Sequence, residues 1–338
     1  MAEPPVRVLY IAGAGRSGST LLECLLNELP GVCAAGEVTH VWDRGFRKNE
    51  LCGCGTPFHD CGFWRDVRRV AFGGSDVDVA AAAELRSSLC RLYNIPRLLA
   101  PAAARGRRFR ARLSRYGDLL TRLYRAVAVV SGARVVVDSS KYPPEAFLLA
   151  GMGNIDLSIL HVVRHSNAVA YAWQKWKERP DVHWTTAYMA RYPFLKTAMA
   201  WNVFNALIES LGRRGVPYQR ARYEDLVADP RAVVLEAARF LGIEPGALSG
   251  VREGAVVLGG NHTASGNPVR LRTGTLPLTL DTEWSERAPR HQRFLVNVLT
   301  SPLLRRYGYR WRDAGPGTHG RSPVDAARSG RAEPSVSA

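Results

Sequence analysis

No run of apolar residues in this chain approaches the roughly 20 needed to cross a bilayer. Met1-Ala2-Glu3-Pro4-Pro5 has neither the basic start nor the apolar core of a secretory signal. A soluble, cytoplasmic protein is therefore the expectation. Cysteine is scarce, 6 in 338 residues, which excludes a disulfide scaffold and leaves reduced thiols or a small metal site. No repeat of 20 to 50 residues is evident. Acids are also short, 30 Asp plus Glu against 46 Lys plus Arg, a net charge of +16.

The excess is uneven. Eleven Arg and one acid, Asp118, lie between Arg86 and Arg125, a patch suited to phosphate, sulfate or phospholipid headgroups, or a plain solvated helix face. Aromatics that could stack on bases are few there, Phe109, Tyr116 and Tyr124 among them, and no helix-turn-helix, zinc-finger or RNA-recognition signature accompanies them. Nucleic acid is accordingly not the expected partner, while peripheral membrane contact through Arg86–Arg125 stays open.

The apolar content, 46% of residues, is ample for a core. Val6 to Ala12 is β-rich and ends in a glycine turn, after which Leu21, Leu22, Leu25, Leu26 and Leu29 recur at helical spacing until Pro30. Further β-runs end at Asp138, at Arg164 and, from Pro217, at Ala221. Near-continuous apolar strands separated by helical stretches predict an α/β fold, a central parallel sheet flanked by helices, with ligands at the carboxyl ends of its strands. Leu113, Tyr116, Leu120, Leu123, Tyr124 and Val127 share one face of a helix that shows Arg105, Arg108, Arg112, Arg115 and Arg122 outward. One domain over residues 1–312 is expected, with 313–338, rich in Gly, Ser, Pro, Arg and Ala, as a disordered tail.

Gly13-Ala14-Gly15-Arg16-Ser17-Gly18-Ser19-Thr20 joins the first strand to the first helix. Its amides and the helix dipole would cradle phosphate or sulfate oxygens. The spacing follows the nucleotide loop G-x-x-x-x-G-K-[ST], with Gly13 and Gly18 in register, but Ser19 stands where that motif has Lys. Arg16 could supply a planar cation instead. Val135-Val136-Val137-Asp138 imitates the strand and Asp that hold Mg²⁺ in P-loop kinases and nucleotidases, which keeps that class as the alternative. A basic nucleic-acid- or membrane-binding module is a second one, but it leaves the loop unexplained.

Gly15 to Leu22 followed by Gly36-Glu37 resembles the 5′-phosphosulfate segment of sulfotransferases that use 3′-phosphoadenosine 5′-phosphosulfate (PAPS). Val137-Asp138-Ser139-Ser140-Lys141, Val162-Val163-Arg164, Tyr223-Glu224-Asp225-Leu226 and Gly266-Asn267-Pro268-Val269-Arg270 resemble further segments of that family, in order. The resemblance implies a P-loop-like sulfotransferase architecture and sulfuryl transfer from PAPS to a hydroxyl or amine of a small-molecule, glycan or lipid acceptor. It implies Glu37 as general base, Arg16 and Lys141 as catalytic cations, and no metal. The donor would be held by Gly15, Arg16, Ser17, Gly18, Ser19, Thr20, Arg164, Tyr223, Arg270 and Arg272. One position departs: the family Ser eight residues beyond the strand-end Arg is Ala172 here, so Ser166, Arg270 and Arg272 stand as substitutes for holding the 3′-phosphate.

His40 and His165 compete with Glu37 as bases. Cys52, Cys54, His59 and Cys61 include four groups of zinc-ligand type, but Cys-x-Cys spacing is unusual for zinc, and the segment reads rather as a structural loop. Trp173, Trp176, Trp184, Tyr188 and Tyr192 could wall an acceptor pocket or pack in a core.

Overall fold

The computed structural model describes residues 3–311 except 74–76, 247, 249 and 253, so the expected tail lies outside the described residues. Five strands, β1 (Val6–Ala12), β2 (Val32–Gly36), β3 (Val135–Lys141), β4 (Ile155–Val163) and β5 (Tyr218–Arg222), form one sheet in the order β2-β3-β1-β4-β5. Every neighbouring pair is parallel. The α/β expectation therefore holds, and β2 is an addition to it.

Strand periodicity divides the interior into two layers, because successive side chains point to opposite faces. Val8, Tyr10, Val136, Leu157 and Ile159 join one apolar cluster, with Tyr116, Leu120 and Leu123 of the helix Arg107–Ser131. Leu9, Ile11, Val135, Val137, Leu160 and Val162 join the other, with Leu22, Leu25 and Leu26 of α1 (Ser19–Leu26) and Val234 of the helix Pro230–Leu241. Burial on both faces accounts for strands that are apolar throughout rather than alternating. A small antiparallel sheet, β6 (Val251–Arg252), β7 (Ala255–Leu258) and β8 (Gly274–Pro277), lies against the second layer through Val256, Leu258 and Leu276.

Among the described residues no helix is long and apolar enough to cross a membrane. The Arg-rich segment divides by position. Arg107, Arg108, Arg110, Arg112 and Arg115 are exposed, whereas Arg86 is turned inward and donates to Thr39 Oγ1.

Candidate active site

All five parallel strands end at one cleft of about 1110 Å³. The loop after β1 supplies Gly13 to Arg16 and Gly18 to Thr20, β2 leads to Glu37, β3 ends at Lys141, β4 leads to Arg164, and β5 to Tyr223. In a parallel sheet the carboxyl ends collect at one edge, which is why segments spread over more than 200 positions of sequence converge.

The loop is built for close approach. Gly18, the N-cap of α1, has φ 86° and offers no side-chain cap, so the orphan amides of the first turn are left for a ligand. A Cβ on Gly18 would come within 2.4 Å of the Tyr223 ring, and one on Gly15 within 2.7 Å of Trp173. Ser19 and Thr20 line the cleft; Ser17 does not, and its hydroxyl is buried without a partner.

Among the described residues only three non-glycine residues have positive φ, and two are Arg16 (72°) and Lys141 (67°). Such conformations cost about 1–3 kcal/mol each and persist where the surroundings over-determine them. The Arg16 guanidinium lies 4.8 Å from the Trp173 ring, its Nη1 is 3.0 Å from Met189 Sδ, and its buried Nε lacks a partner. Burial lowers its pKa. Lys141 Nζ donates to Glu37 Oε1 and to Ser139 O, each at 2.6 Å.

Burial would raise the Glu37 carboxyl, but Lys141, His40 and Arg44 outweigh it and hold the pKa down at about 2. His40 Nε2 lies 3.5 Å from Glu37 Oε2, and burial with the neighbouring Arg44 pushes its pKa down to about 3. At neutral pH the pair is therefore a carboxylate beside a neutral imidazole. Behind it, the buried Glu23 accepts from the Gly36 N–H (2.7 Å) and the Ser139 hydroxyl (2.6 Å), tying the ends of β2 and β3 together.

Other expectations need correction. Arg270 does not line the cleft: it is 1% exposed and donates to Thr263 O (2.9 Å) and Leu51 O (2.7 Å), beside Asp181 at 3.7 Å. The 3₁₀ turn Pro268–Leu271 carries this side chain inward as a buried strut. Arg272 is exposed and outside the cleft lining. Ser166 is buried against Thr300, at 2.8 Å, so it is no substitute for the hydroxyl missing at Ala172. His165 is stacked on Trp284 with Nε2 3.1 Å from Arg310 O, away from the cleft, which removes it as a base. His59 Nε2 faces Phe46 O at 2.9 Å instead of the cysteines.

Arg164 does line the cleft, stacked on Tyr223 at 4.3 Å, but its guanidinium donates to the Arg16 carbonyl (3.1 Å) and Asp281 (3.1 Å). Five cations were missed by sequence reasoning: Arg44, Lys175, Lys177, Arg179 and Lys196 all line the cleft. Lys177 has its pKa lowered by burial and then by Arg16, Arg272 and Lys175. Nothing in its spacing singled it out, because it lies in the loop after the helix Ser166–Ala172. Trp173, Trp176, Tyr188 and Tyr192 of the same loop also line the cleft, while Trp184 does not.

Asp138, the residue that imitated a Mg²⁺-binding strand-end acid, is fully buried and absent from the cleft lining. It accepts from Tyr124, Ser140 and Val38, and burial raises its pKa to about 7.

No family model matches the chain, and no curated protein does. Solved structures do. The sulfotransferase domain of the Synechococcus PCC 7002 olefin synthase superposes with a TM-score of 0.51 at 21% identity, over 91% of this chain and 97% of that one. The sulfotransferase domain from the curacin biosynthetic pathway matches with a TM-score of 0.47 at 17% identity, over 92% of this chain and 99% of that one. The chain has the fold of a sulfotransferase domain.

Proposed function

We propose that this protein is a PAPS-dependent sulfotransferase acting on a hydroxyl or amine of a small-molecule, glycan or lipid acceptor. The observation that carries the reading is the convergence of Arg16 and Lys141, both in left-handed backbone conformation, on one cleft beside a glycine loop that has no Lys at position 19. Unpartnered Arg16 Nε, an uncapped α1 and the mutual repulsion of Lys177, Arg16, Arg272 and Lys175 all fit a polyanion with phosphate and sulfate groups.

Sulfuryl transfer asks for alignment and for charge stabilisation, with little covalent work by the protein. The acceptor oxygen or nitrogen forms a bond to sulfur while the bond from sulfur to the bridging phosphate oxygen breaks. Glu37 receives the acceptor's proton, and Arg16 with Lys141 neutralises charge growing on the leaving phosphate. At about 2 the Glu37 pKa makes a weak base while Lys141 is paired to it. An anion that draws Lys141 away would raise that basicity as the donor binds, so the ion pair links donor binding to activation of the base.

The kinase alternative loses support from Asp138, whose burial behind Tyr124 and Ser140 denies a cleft-bound metal its usual carboxylate. The exposed row Arg107, Arg108, Arg110, Arg112 and Arg115 is proposed as a contact for an anionic acceptor or membrane surface. Calorimetry tests the donor: 3′-phosphoadenosine 5′-phosphate should bind at least ~10-fold tighter than ATP, about 1.4 kcal/mol, with or without Mg²⁺. Equal affinity or a preference for ATP would sink the assignment.

A further inference from the structure

The cysteine-rich loop does not enter the cleft, and it meets a partner that sequence spacing hid. Cys52, Cys54 and Cys61 converge with His262, more than 200 positions away in sequence, so that one ligand-type atom from each lies within 4.8 Å of every other. None of the four lines the active-site cleft. Cys54 Sγ is 3.7 Å from Cys61 Sγ, and His262 Nδ1 is 3.3 Å from Cys61 Sγ and 3.8 Å from Cys52 Sγ.

A tetrahedral zinc with Zn–S of about 2.3 Å and Zn–N of about 2.05 Å has S···S edges near about 3.8 Å and S···N edges near about 3.6 Å. Three of the six separations, 3.7, 3.3 and 3.8 Å, lie close to those edges, and all six fall within 4.8 Å. We propose that Cys52, Cys54, Cys61 and His262 bind one Zn²⁺ in a closed Cys₃His site. Three soft thiolates and an imidazole in tetrahedral array select zinc over the oxygen-seeking Mg²⁺ and Ca²⁺. Four protein ligands leave no open position, which makes the site structural rather than catalytic.

The surroundings hold the ligands in place. Phe63 stacks on the His262 ring at 4.8 Å, and Trp64 Nε1 donates to the His262 carbonyl at 2.7 Å. Gly53 donates its N–H to Thr263 O at 3.0 Å, and a Cβ there would fall 1.9 Å from Asn261 Oδ1. Only glycine lets the two segments approach this closely. Cys61 is the N-cap of the helix Gly62–Phe72, where the dipole favours a thiolate.

The anchored segment also reaches the active site. Directly after His262, Ala264 donates to Ala35 O (2.9 Å), and Ser265 O accepts from the Glu37 N–H (3.1 Å). Zinc would therefore fasten the strand edge against which Glu37 is set, without touching the acceptor or donor.

Elemental analysis of the full-length chain, purified without chelator and passed through gel filtration, should find about one zinc per chain. Replacement by Co²⁺ should give the intense visible bands and sulfur-to-cobalt charge transfer of a tetrahedral thiolate site. His262→Ala should lower zinc retention by at least ~10-fold, whereas His59→Ala should retain it. Removing the metal should lower the melting temperature whether or not any transferase activity is found, so this outcome is separable from failure of the sulfotransferase reading. The proposal is overturned if zinc-supplemented wild-type protein retains none. It is equally overturned if intact mass shows Cys54 and Cys61 joined as a disulfide, or if His262→Ala holds zinc as tightly as wild type.

Discussion

In the proposed reaction the ion pair between Lys141 and Glu37 serves both catalysis and stability, and a double-mutant cycle can separate the two. Glu37 and Lys141 side chains are 14% and 15% exposed, so solvent screens the pair little. Depression of the Glu37 pKa from 4.5 to about 2 corresponds to about 3 kcal/mol, at 1.36 kcal/mol per unit. That figure includes His40 and Arg44, and it is net of burial acting in the opposite direction. The sign follows: the folded-state value lies below the unfolded one, so this stabilisation is present above about pH 4.5 and is lost as pH falls toward about 2.

In Lys141→Met the carboxylate stays nearly buried with its nearest cation removed, and its pKa should rise. Breaking one side of such a pair costs about 3–5 kcal/mol. Glu37→Gln keeps the shape and leaves Lys141 its bond to Ser139 O. Urea unfolding of wild type, both single variants and the double variant at pH 7 should give a coupling energy of about 2–3 kcal/mol, against the ~0.5 kcal/mol limit for independent sites. In the same set, Lys141→Met should lower turnover by about 10²–10³ and Glu37→Gln by about 10²–10⁴, the latter with donor-product affinity nearly unchanged. A coupling below ~0.5 kcal/mol, or either variant at wild-type turnover, refutes the reasoning.

Glu23 carries the opposite sign: burial raises its pKa to about 8, so stability should fall between pH 5 and 8, and Glu23→Gln should flatten that fall; chemical unfolding against pH checks it, and an equal slope in the variant counts against it. Gly18→Ala, which pushes a methyl into Tyr223 at a φ of 86°, should weaken 3′-phosphoadenosine 5′-phosphate by at least ~10-fold in calorimetry. Arg164→Ala removes donors to Arg16 O and Asp281, so it should weaken 3′-phosphoadenosine 5′-phosphate and AMP together; loss confined to the former would assign Arg164 directly to the 3′-phosphate.

What the sequence disclosed follows from where the signal lies. β3 and β4 are apolar runs that close on a polar residue, and β1, closing on a glycine turn, keeps strand, loop and α1 in consecutive positions. β2 was missed because Val-Cys-Ala-Ala-Gly offers one β-branched residue in five, and its strand character comes from pairing with β3. Glu37 was therefore reached through resemblance, not through its position at a strand end. Arg270 misled for another reason: arginine is rarely fully buried, and its carbonyl partners belong to segments distant in sequence. His262 escaped because imidazole and thiols meet only after the chain has crossed the sheet.

The strained cations show how the site is sustained. Arg16 keeps its left-handed backbone because Arg164 donates to its carbonyl, Trp173 donates to the Gly15 carbonyl and Trp173 also underlies the guanidinium. Lys141 keeps its own through Ser139 O and Glu37. Apart from Ser139 O, which lies on the same strand as Lys141, these restraints come from another strand end or its following loop, so the strain of about 1–3 kcal/mol per residue is offset across the edge of the sheet. A charge-stabilising site of this kind depends on cations fixed before the reaction starts, since reorientation during transfer would forfeit their effect. The parallel sheet supplies that fixity. Strands β1 and β4 set Arg16, and β2 and β3 set Glu37 and Lys141, so the proposed donor cradle and the proposed base are held by adjacent pairs of strands within one hydrogen-bonded layer.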